Sequence, residues 1–531
     1  MFLLSLFSMA TYLVGFLYIL LRSWRLSGGQ EFYALDDAYI HASIARHLVQ
    51  DGNFGISPHA FAAASSSILW PLLPALCFWL FGVHAIIPLL LNAVFSLLTL
   101  WAAGYWLWKL VPSASATMIV GLQLVLLASI PLLTLTFTGM EHTMQVLLTL
   151  WFLFLSARFL HRPVEAHLSN LRHRTAWLCL SAFLLVGSRY EGAFVVAAAA
   201  LLLVLQKRFR VACGLLLAGS MAPVLFGIFS IVHGSHFLPN SLLLKAAVRE
   251  ARHPFQLRII AELLSGYAWI SGTLPLLVVG MFLLFRRWNR GDNYSIGSIA
   301  VFVFVFSCGL HLDLAKLGWM WRYEAYLIAS GIFALFVAAA ENMTIASDDI
   351  SRRRPAAVAV LVICGLASLS FRAVQGTAAI LPSIETIYDQ QFQMAQFARE
   401  YYARDPIIAN DVGAISFLGD HRMIDVFGLG SIAVTNSRIN HRYTPATLNA
   451  IALRGKASVA MVYSNWVRSL TGGMPHWTKV AEWNYTFGNS QVLNGRRVTF
   501  YAVLPKDVPY LKRSLQEYAQ RLPSAVRCEY F

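Results

Sequence analysis

Cysteine and charged residues are both scarce in this sequence. Six cysteines occur in 531 residues, and five of them lie inside apolar runs, with Cys528 alone near the carboxyl end. No two cysteines are paired as CxxC, so neither a disulfide framework nor a zinc site built on such pairs is predicted. Charged residues make up 13% of the chain, about half of their share in a soluble domain. The sequence is therefore not that of an ordinary soluble protein.

The short motifs that bind nucleotides or metals are also absent. There is no Walker A, GxGxxG, HExxH or EF-hand pattern, so a soluble nucleotide donor is not indicated and a divalent metal, although open, is unsupported by ligand spacing. The formal charge of +15 is typical of proteins that bind nucleic acid, but the basic residues fall in short clusters between apolar runs. Such clusters are topology signals, so nucleic-acid binding is not predicted.

What the chain has in abundance is apolar sequence, with 58% hydrophobic residues. Runs long enough, or nearly so, to cross about 30 Å of hydrocarbon predict a polytopic α-helical membrane protein with about eleven crossings. The run at 175–206 is too long for one helix and is split at "SRYEG". The first run lacks a basic start and a cleavage site, so we expect a retained helix rather than a signal peptide.

Basic clusters predict the orientation of these helices. They occur at Arg158 to Arg174, in "QKRFR", in "RRWNR" and at Arg352 to Arg354, and all lie on one side if the amino terminus is cytoplasmic. This assignment requires that Ser67 to Gly82, with two prolines, does not cross. Arg22 and Arg25 then lie on the external side, where arginines at a helix end are tolerated. The carboxyl end is then predicted to lie outside the cytoplasm.

Two domains are predicted. Residues 1–373 form the transmembrane domain, with a first external loop at 22–83, and residues 374–531 form an extracytoplasmic α/β domain. In this tail, "PSIETIYDQQFQMAQFAREYYA" has helical periodicity. Short strands are predicted in "DPIIAND", "HRMIDVFGL", "KASVAMVYSN" and "GRRVTFYAVL".

An adjacent pair of carboxylates, Asp36 and Asp37, follows the first apolar run. A solvated acidic pair beside a membrane is the simplest interpretation. However, the pair begins a helical segment, where carboxylates are favourable, and its neighbours are apolar. Burial raises the pKa of a carboxyl group and suits it to proton abstraction. One carboxylate is expected to face a substrate while the other braces a loop.

Other ionisable residues lie in separate loops on the same predicted face. Each has a structural alternative: Glu141 and His142 as a helix cap, Arg189 with Glu191 as an internal ion pair, and Arg322 paired with Glu324 instead of a phosphate. The remaining candidates for binding a phosphate or sugar are His236, Asn240, Lys245 and Tyr323. We expect these groups to converge with Asp36 at the outer membrane boundary.

Several segments resemble the integral-membrane glycosyltransferases of the GT-C fold. The segment "LDDAYIHASIARHLVQDGNFGISPHAFAAASSSILWPLLPAL" is similar to their first external loop. "TGMEHTMQVLL", "SRYEG", "GSHFLPNSLLLK" and "NDVGAISFLGDHRMIDVFGLGS" resemble a bacterial branch that includes the mycobacterial terminal arabinofuranosyltransferases. This chain has "GMEH" and "RYEG" where the family commonly has "GLE" and "RPEG", but Glu141, Arg189 and Glu191 keep their places.

The resemblance implies transfer of a sugar from a polyprenyl-phosphate donor to an extracytoplasmic glycan, lipid or protein such as pilin. It also implies that Asp36 is the base and that Asp37 belongs to the catalytic pair. Arabinofuranose is the sugar it favours, and the bacterial cytoplasmic (inner) membrane is the location it implies. A lipid-linked saccharide flippase is the alternative, although its polar residues are expected at the membrane midplane. A non-catalytic sensor with a ligand-binding tail is a third hypothesis.

Overall fold

A computed structural model describes residues 2–30, 33–161, 168–245, 261–263, 265–345, 356–403, 405–486, 492 and 495–531. The predicted basic cluster from Arg352 to Arg354, and part of that from Arg158 to Arg174, lie outside these residues. Within them, the chain forms a large helical bundle followed by a domain built on one mixed sheet.

The bundle contains helices that match the apolar runs of the sequence. In chain order they are α1 (Phe2–Leu26), α2 (Asp37–Gln50), α3 (Leu72–Phe81), α4 (Ile87–Leu110), α5 (Ala116–Ser129), α6 (Leu132–Phe137), α7 (His142–Leu160), α8 (Leu168–Ser188), α9 (Gly192–Leu205), α10 (Phe209–Val232), α11 (Tyr267–Ile270), α12 (Thr273–Trp288), α13 (Ile296–Leu314), α14 (Ala325–Ile345) and α15 (Ala356–Ala378).

Breaks between these helices follow local chemistry. Pro131 separates α5 from α6, because proline cannot donate a helical hydrogen bond. The apolar run at 114–136, which hydropathy predicts to be one crossing, therefore forms two helices. Gly272, with φ 81°, separates α11 from α12 in a conformation that glycine adopts readily. The predicted split at "SRYEG" is also present, since α8 ends at Ser188 and α9 begins at Gly192.

The number of membrane crossings differs from the sequence expectation. In the part of the chain that the structure describes, seven helices are long and apolar enough to cross a membrane, against about eleven expected. Helices α5 and α9 have 14 residues each, about 21 Å of helix, and part of α8 lies outside the described side chains. The segment at Ser67 to Gly82 contains only the 10-residue helix α3.

The carboxyl-terminal domain begins after α15. Its elements are α16 (Ile380–Ile387), a π-helical turn (Tyr388–Phe392), α17 (Gln393–Tyr401), β1 (Ile407–Ala409), α18 (Gly413–Leu418), β2 (Met423–Asp425), α19 (Ile432–Ile439), α20 (Pro445–Arg454), β3 (Val459–Val462), α21 (Ser464–Thr471), β4 (Thr478–Tyr485), β5 (Arg497–Ala502), a 3₁₀ turn (Pro505–Asp507), α22 (Val508–Ala519) and β6 (Val526–Tyr530). Because α15 runs through the predicted boundary at residue 373, we propose a boundary after Ala378.

The six strands form one sheet in the order β2-β1-β3-β5-β4-β6. Strand β1 is parallel to both β2 and β3, whereas the other neighbours are antiparallel. The four predicted strand segments contain β1, β2, β3 and β5. The sequence did not predict β4 or β6. Because β1, β2 and β3 are parallel, the loops that follow them emerge at the same edge of the sheet.

That edge rests on the segment from Asp36 to Gln50 at the start of the bundle, within the predicted first external loop. The backbone N–H groups of Gly413 and Ala414 donate hydrogen bonds to the two carboxylate oxygens of Asp36, at 2.7 and 2.8 Å. The Arg46 guanidinium contacts Phe417 O and the Asp420 carboxylate. A side chain at position 413 would overlap the Asp36 backbone, so glycine permits the close approach of the two domains.

Candidate active site

A cavity of about 500 Å³ lies between the bundle and the carboxyl-terminal domain. We call it the central cavity. Its wall from the bundle includes Asp36, Asp37, His41, Ser66, Arg189, Lys245, Lys316, Trp319, Arg322 and Tyr323, and its wall from the carboxyl-terminal domain includes Gln391, Asn410, Asp411, Phe427, Leu429 and Trp466. Ionisable groups from loops far apart in the sequence therefore meet in one space.

Asp37 is ion-paired across the bundle. Arg322 donates a hydrogen bond to the Asp37 carboxylate, at 2.6 Å, and its own side chain is almost fully buried. Burial raises the pKa of Asp37, but the Arg322 and Lys245 charges outweigh burial, so the pKa lies below its usual value. Asp37 is therefore ionised at neutral pH and holds Arg322 at the cavity wall.

Three cations surround the ring of Tyr323. The Arg322, Lys245 and Arg189 charges lie 5.1, 5.4 and 5.7 Å from the ring centroid, within the range of cation–π attraction. Burial raises the pKa of the Tyr323 hydroxyl, but Lys245 and Arg322 together lower it to about 8. A site that favours a phenolate to this degree also favours other anions. Lys245 forms no ion pair with the residues that the structure describes.

Arg189 is shared between two carboxylates. It donates to Glu141, at 2.5 Å, and binds Glu191 through two hydrogen bonds, at 3.1 and 2.7 Å. The Glu141 carboxylate also accepts from Ser66, at 2.9 Å, and lies 3.5 Å from His41. The predicted internal pair of Arg189 and Glu191 is thus present. Because both carboxylates already offset the charge of Arg189, less of it is available to a ligand than that of Lys245.

Asp36 has a different environment from its neighbour. Burial, and then the nearby Asp411 carboxylate, raise the pKa of Asp36 to about 8, against the opposing effect of the Ala414 and Gly413 N–H groups. Each carboxylate oxygen has a second lone pair that these two hydrogen bonds leave unused. Asp36 thus has two properties of a general base: a raised affinity for a proton near neutral pH and a position on the cavity wall.

The backbone before Arg322 is strained. Gly318, Trp319, Met320 and Trp321 all have positive φ, at 97°, 49°, 58° and 60°, a left-handed conformation that costs about 1–2 kcal/mol for each non-glycine residue. Buried contacts hold it: Arg372 bonds to Trp321 O and to Glu324, and Glu324 accepts from the Gly318 N–H, at 2.8 Å. Of the two alternatives for Arg322, the pairing with Glu324 is not formed, because Glu324 pairs with Arg372 and Arg322 pairs with Asp37.

A second, more apolar space of about 320 Å³ adjoins the central cavity. We call it the apolar groove. It shares Ser66, Arg189, Lys245, Lys316 and Tyr323 with the central cavity, and its other walls are mostly apolar: Phe194, Leu238, Leu242, Leu243, Leu314 and Ala315. Leu238 and Leu314 are 41% and 46% exposed, so the groove reaches the surface of the bundle. Lys245 and Tyr323 stand where the polar and apolar spaces meet.

The candidate residues do not all line these spaces. Asp36, Asp37, Arg189, Lys245, Arg322 and Tyr323 line the central cavity, and Glu191 lines the apolar groove. Glu141 lies behind Arg189, and His142 is buried with its ring 6.4 Å from that of Tyr323. His236 bonds to Asn436, at 2.7 Å, and Asn240 donates to Leu429 O, at 2.9 Å. These last two side chains join the domains instead of lining the cavity.

Residues from the tail are the part of the cavity wall that sequence reasoning missed. Asp411 accepts from Gln391, at 2.9 Å, and lies 2.7 Å from the Tyr463 hydroxyl. The signal available was "ND" directly after a short apolar strand, which places Asn410 and Asp411 at the edge of a sheet. Among the described residues, no group of three or more histidine, cysteine, aspartate or glutamate side chains is arranged to hold a metal ion.

Comparisons with known proteins agree with this architecture. A family model described as a domain of unknown function (DUF8728) matches residues 383–501, and no curated protein matches the sequence. The crystal structure of ArnT from Cupriavidus metallidurans bound to undecaprenyl phosphate has 12% identity and a TM-score of 0.51, over 94% of this chain and 98% of ArnT. ArnT in the apo state has 13% identity and a TM-score of 0.52, over 94% and 99%.

A more distant similarity is to the archaeal oligosaccharyltransferase AglB from Archaeoglobus fulgidus, in complex with an inhibitory peptide and a dolichol-phosphate. Its identity is 11% and its TM-score 0.47, over 94% of this chain and 75% of AglB. The predicted fold class is confirmed: the chain has a GT-C fold with a carboxyl-terminal domain that contains a mixed sheet.

Proposed function

We propose that this protein is a membrane glycosyltransferase that takes a sugar from a polyprenyl-phosphate donor. The observation that carries the proposal is the junction of the two spaces, where Lys245 and Tyr323 line both the charged central cavity and the apolar groove. A polyprenyl phosphate has the matching chemistry, with a negative phosphate at one end of an apolar chain. The binding of undecaprenyl phosphate by ArnT, which shares the fold, supports this donor class.

Each charged group then has a chemical role. The acceptor oxygen attacks the anomeric carbon of the donor sugar as Asp36 takes the hydroxyl proton, and the bond from that carbon to the phosphate oxygen breaks. The leaving polyprenyl phosphate gains one negative charge. Lys245 offsets this charge, with Arg322 close by, and such electrostatic stabilisation typically contributes about 3–4 kcal/mol per donor group. Asp37 acts as a positioning residue because it holds Arg322.

The remaining details of the proposal come from the sequence. We propose arabinofuranose as the sugar, on the resemblance to the terminal arabinofuranosyltransferases. We also propose that the cavity opens outside the cytoplasm of a bacterial inner membrane, because the basic clusters lie on the opposite side of the predicted topology. The acceptor is then an extracytoplasmic glycan, lipid or protein.

Removal of the Lys245 charge tests the donor. We expect Lys245→Gln to weaken the binding of undecaprenyl phosphate about tenfold or more, since a charged hydrogen bond contributes about 1.5–3 kcal/mol. The affinity is measured by native mass spectrometry of the purified protein titrated with the lipid. Lys109→Gln is the matched control, because Lys109 lies at the end of α4, outside both spaces. Equal affinities for the wild type and Lys245→Gln contradict the proposed donor site.

A further inference from the structure

The wall that the carboxyl-terminal domain contributes has the geometry of a ligand site. Strands β1, β2 and β3 are parallel and adjacent, and residues within four positions of the end of each strand line the central cavity: Asn410 and Asp411 after β1, Phe427 and Leu429 after β2, and Trp466 after β3. Open α/β sheets bind ligands outside the carboxyl ends of their parallel strands. In this protein that edge faces Asp36 of the bundle.

Two polar side chains on this wall present hydrogen-bond acceptors. The Gln391 amide nitrogen donates to Asp411, at 2.9 Å, and to the Tyr463 hydroxyl, at 3.1 Å. Among the residues that the structure describes, its amide oxygen has no hydrogen-bond partner, although the residue is only 2% exposed. A buried polar atom without a partner costs about 1–3 kcal/mol. A ligand with hydroxyl donors removes that cost and also binds the Asp411 carboxylate.

Apart from Asn410, the rest of the wall is aromatic and apolar. The rings of Phe427 and Trp466 lie 6.2 Å apart, tilted by 47°, and both residues are half-buried. Asp425 fixes the loop that carries Phe427, because its carboxylate accepts from the N–H groups of Phe427 and Gly430, at 2.7 and 2.9 Å. The wall thus combines a few placed polar groups with a rigid apolar surface, as small-molecule sites generally do.

This wall and the donor end of the central cavity carry charged groups of opposite sign. The carboxylates of Asp36 and Asp411 are near each other, whereas Lys245 and Arg322 lie around Tyr323. Like charges repel each other across an interface, so the Asp36 and Asp411 carboxylates disfavour a phosphorylated acceptor. We propose that this wall is the acceptor subsite and that it binds a neutral carbohydrate through its hydroxyl groups and apolar face, an inference that rests on the proposed glycosyltransferase function.

Binding of soluble sugars without donor tests the subsite. The probes are the methyl glycosides of arabinofuranose, galactose, mannose and glucose, with glucose 6-phosphate and an acetylated Gly-Ser-Gly amide as competitors of other classes. Binding to the full-length protein in lipid nanodiscs is measured by saturation-transfer NMR. We expect at least one neutral glycoside to bind, and expect Asp411→Asn and Trp466→Ala to raise its Kd about threefold to tenfold. Trp466→Phe is expected to retain most of the affinity.

Two controls distinguish a specific loss of glycoside binding from general damage to the protein. Asp405→Asn changes an exposed carboxylate of the same domain and is expected to bind as the wild type does. Undecaprenyl phosphate affinity is expected to remain unchanged in Asp411→Asn, because Asp411 does not line the apolar groove. If lipid binding is absent but glycoside binding follows this pattern, the donor proposal fails and the subsite stands. The subsite proposal is overturned when glucose 6-phosphate or the peptide binds better than every neutral glycoside. It is also overturned when no glycoside binds, or when Asp411→Asn and Trp466→Ala both bind glycosides as the wild type does.

Discussion

At the scale of single residues, the adjacent carboxylates Asp36 and Asp37 have pKa values that are shifted in opposite directions. Asp37 meets the Arg322 guanidinium at 2.6 Å, which keeps it ionised. Asp36 meets a second carboxylate, Asp411, and neutral backbone N–H groups, which leave it with a raised pKa. Side chains one position apart in a helix point in different directions. The pair therefore divides into a proposed base and a positioning residue.

The pH dependence of transfer tests this division. Because a base must be deprotonated, kcat/KM for sugar transfer is expected to rise with pH up to about 8, following the raised pKa of Asp36. Asp411→Asn removes a repelling charge, lowers the pKa of Asp36 and shifts the rising limb to lower pH. Asp36→Asn is expected to lose about 10²- to 10⁴-fold in rate. Wild-type transfer by Asp36→Asn is incompatible with its role as the base.

The sequence predicted the bundle side of this site better than the other side. Asp36, Arg189, Lys245 and Arg322 were recognisable because ionisable groups beside apolar helices are conspicuous. Asp411 was not, because a carboxylate after a short strand is ordinary in an α/β domain. Only the close approach of Gly413 to Asp36, a contact between residues 377 positions apart, brings it into the cavity.

At the scale of elements, one buried ion pair supports the strained turn before α14. Both Arg372 and Glu324 have fully buried side chains, and they bond to the two ends of the left-handed segment, at Trp321 O and the Gly318 N–H. The strain in the segment is therefore offset by contacts from α15. This turn places Trp319 and Arg322 on the cavity wall.

Loss of one partner of this pair is expected to be costly. Arg372→Met leaves the Glu324 carboxylate buried without its cation, so the free energy of unfolding should fall by about 3–5 kcal/mol. Arg521→Met, which breaks an exposed pair with Glu400, should change it by about 1 kcal/mol or less. Denaturant unfolding in detergent compares the two. Similar losses in both variants are inconsistent with a structural role for the buried pair.

The observed helix and strand boundaries show which local sequence signals predicted the structure correctly. The interruption at "SRYEG" was visible because charged residues cut an apolar run. The break at Pro131 lies in a continuous apolar stretch, so hydropathy alone merged α5 and α6. Strand β4 alternates little and contains Lys479, Glu482 and Asn484, so its pairing with β5, rather than its hydrophobic pattern, makes it a strand. Strand β6 does alternate, with Arg527 and Glu529 between apolar residues, but it is only five residues long.

At the scale of the whole molecule, the central cavity lies between two domains. The bundle supplies the cations and the apolar groove, and the sheet edge supplies Asp411 and the aromatic wall. Neither domain alone contains both sides. The charged residues of the bundle sequence therefore indicated a phosphate donor, whereas the proposed acceptor subsite lies on the carboxyl-terminal domain and was not predicted.

Accessibility of the carboxyl-terminal domain tests the predicted orientation. A cysteine at the exposed Asp405 is expected to react with a membrane-impermeant maleimide added to intact spheroplasts, above the background of the six native cysteines. Arg290→Cys, in the basic cluster after α12, should react only after the membrane is permeabilised. The opposite pattern, with Arg290→Cys labelled in intact spheroplasts, reverses the proposed topology.

The polar head of a polyprenyl phosphate is proposed to bind where Lys245 and Tyr323 line both the central cavity and the apolar groove. A cryo-electron microscopy structure of the protein with undecaprenyl phosphate tests this directly. We expect phosphate density within about 3 Å of the Lys245 ammonium, the distance of a charged hydrogen bond, with the isoprenoid chain in the apolar groove. Phosphate bound away from Lys245, with the groove empty of lipid, would show that the donor site lies elsewhere.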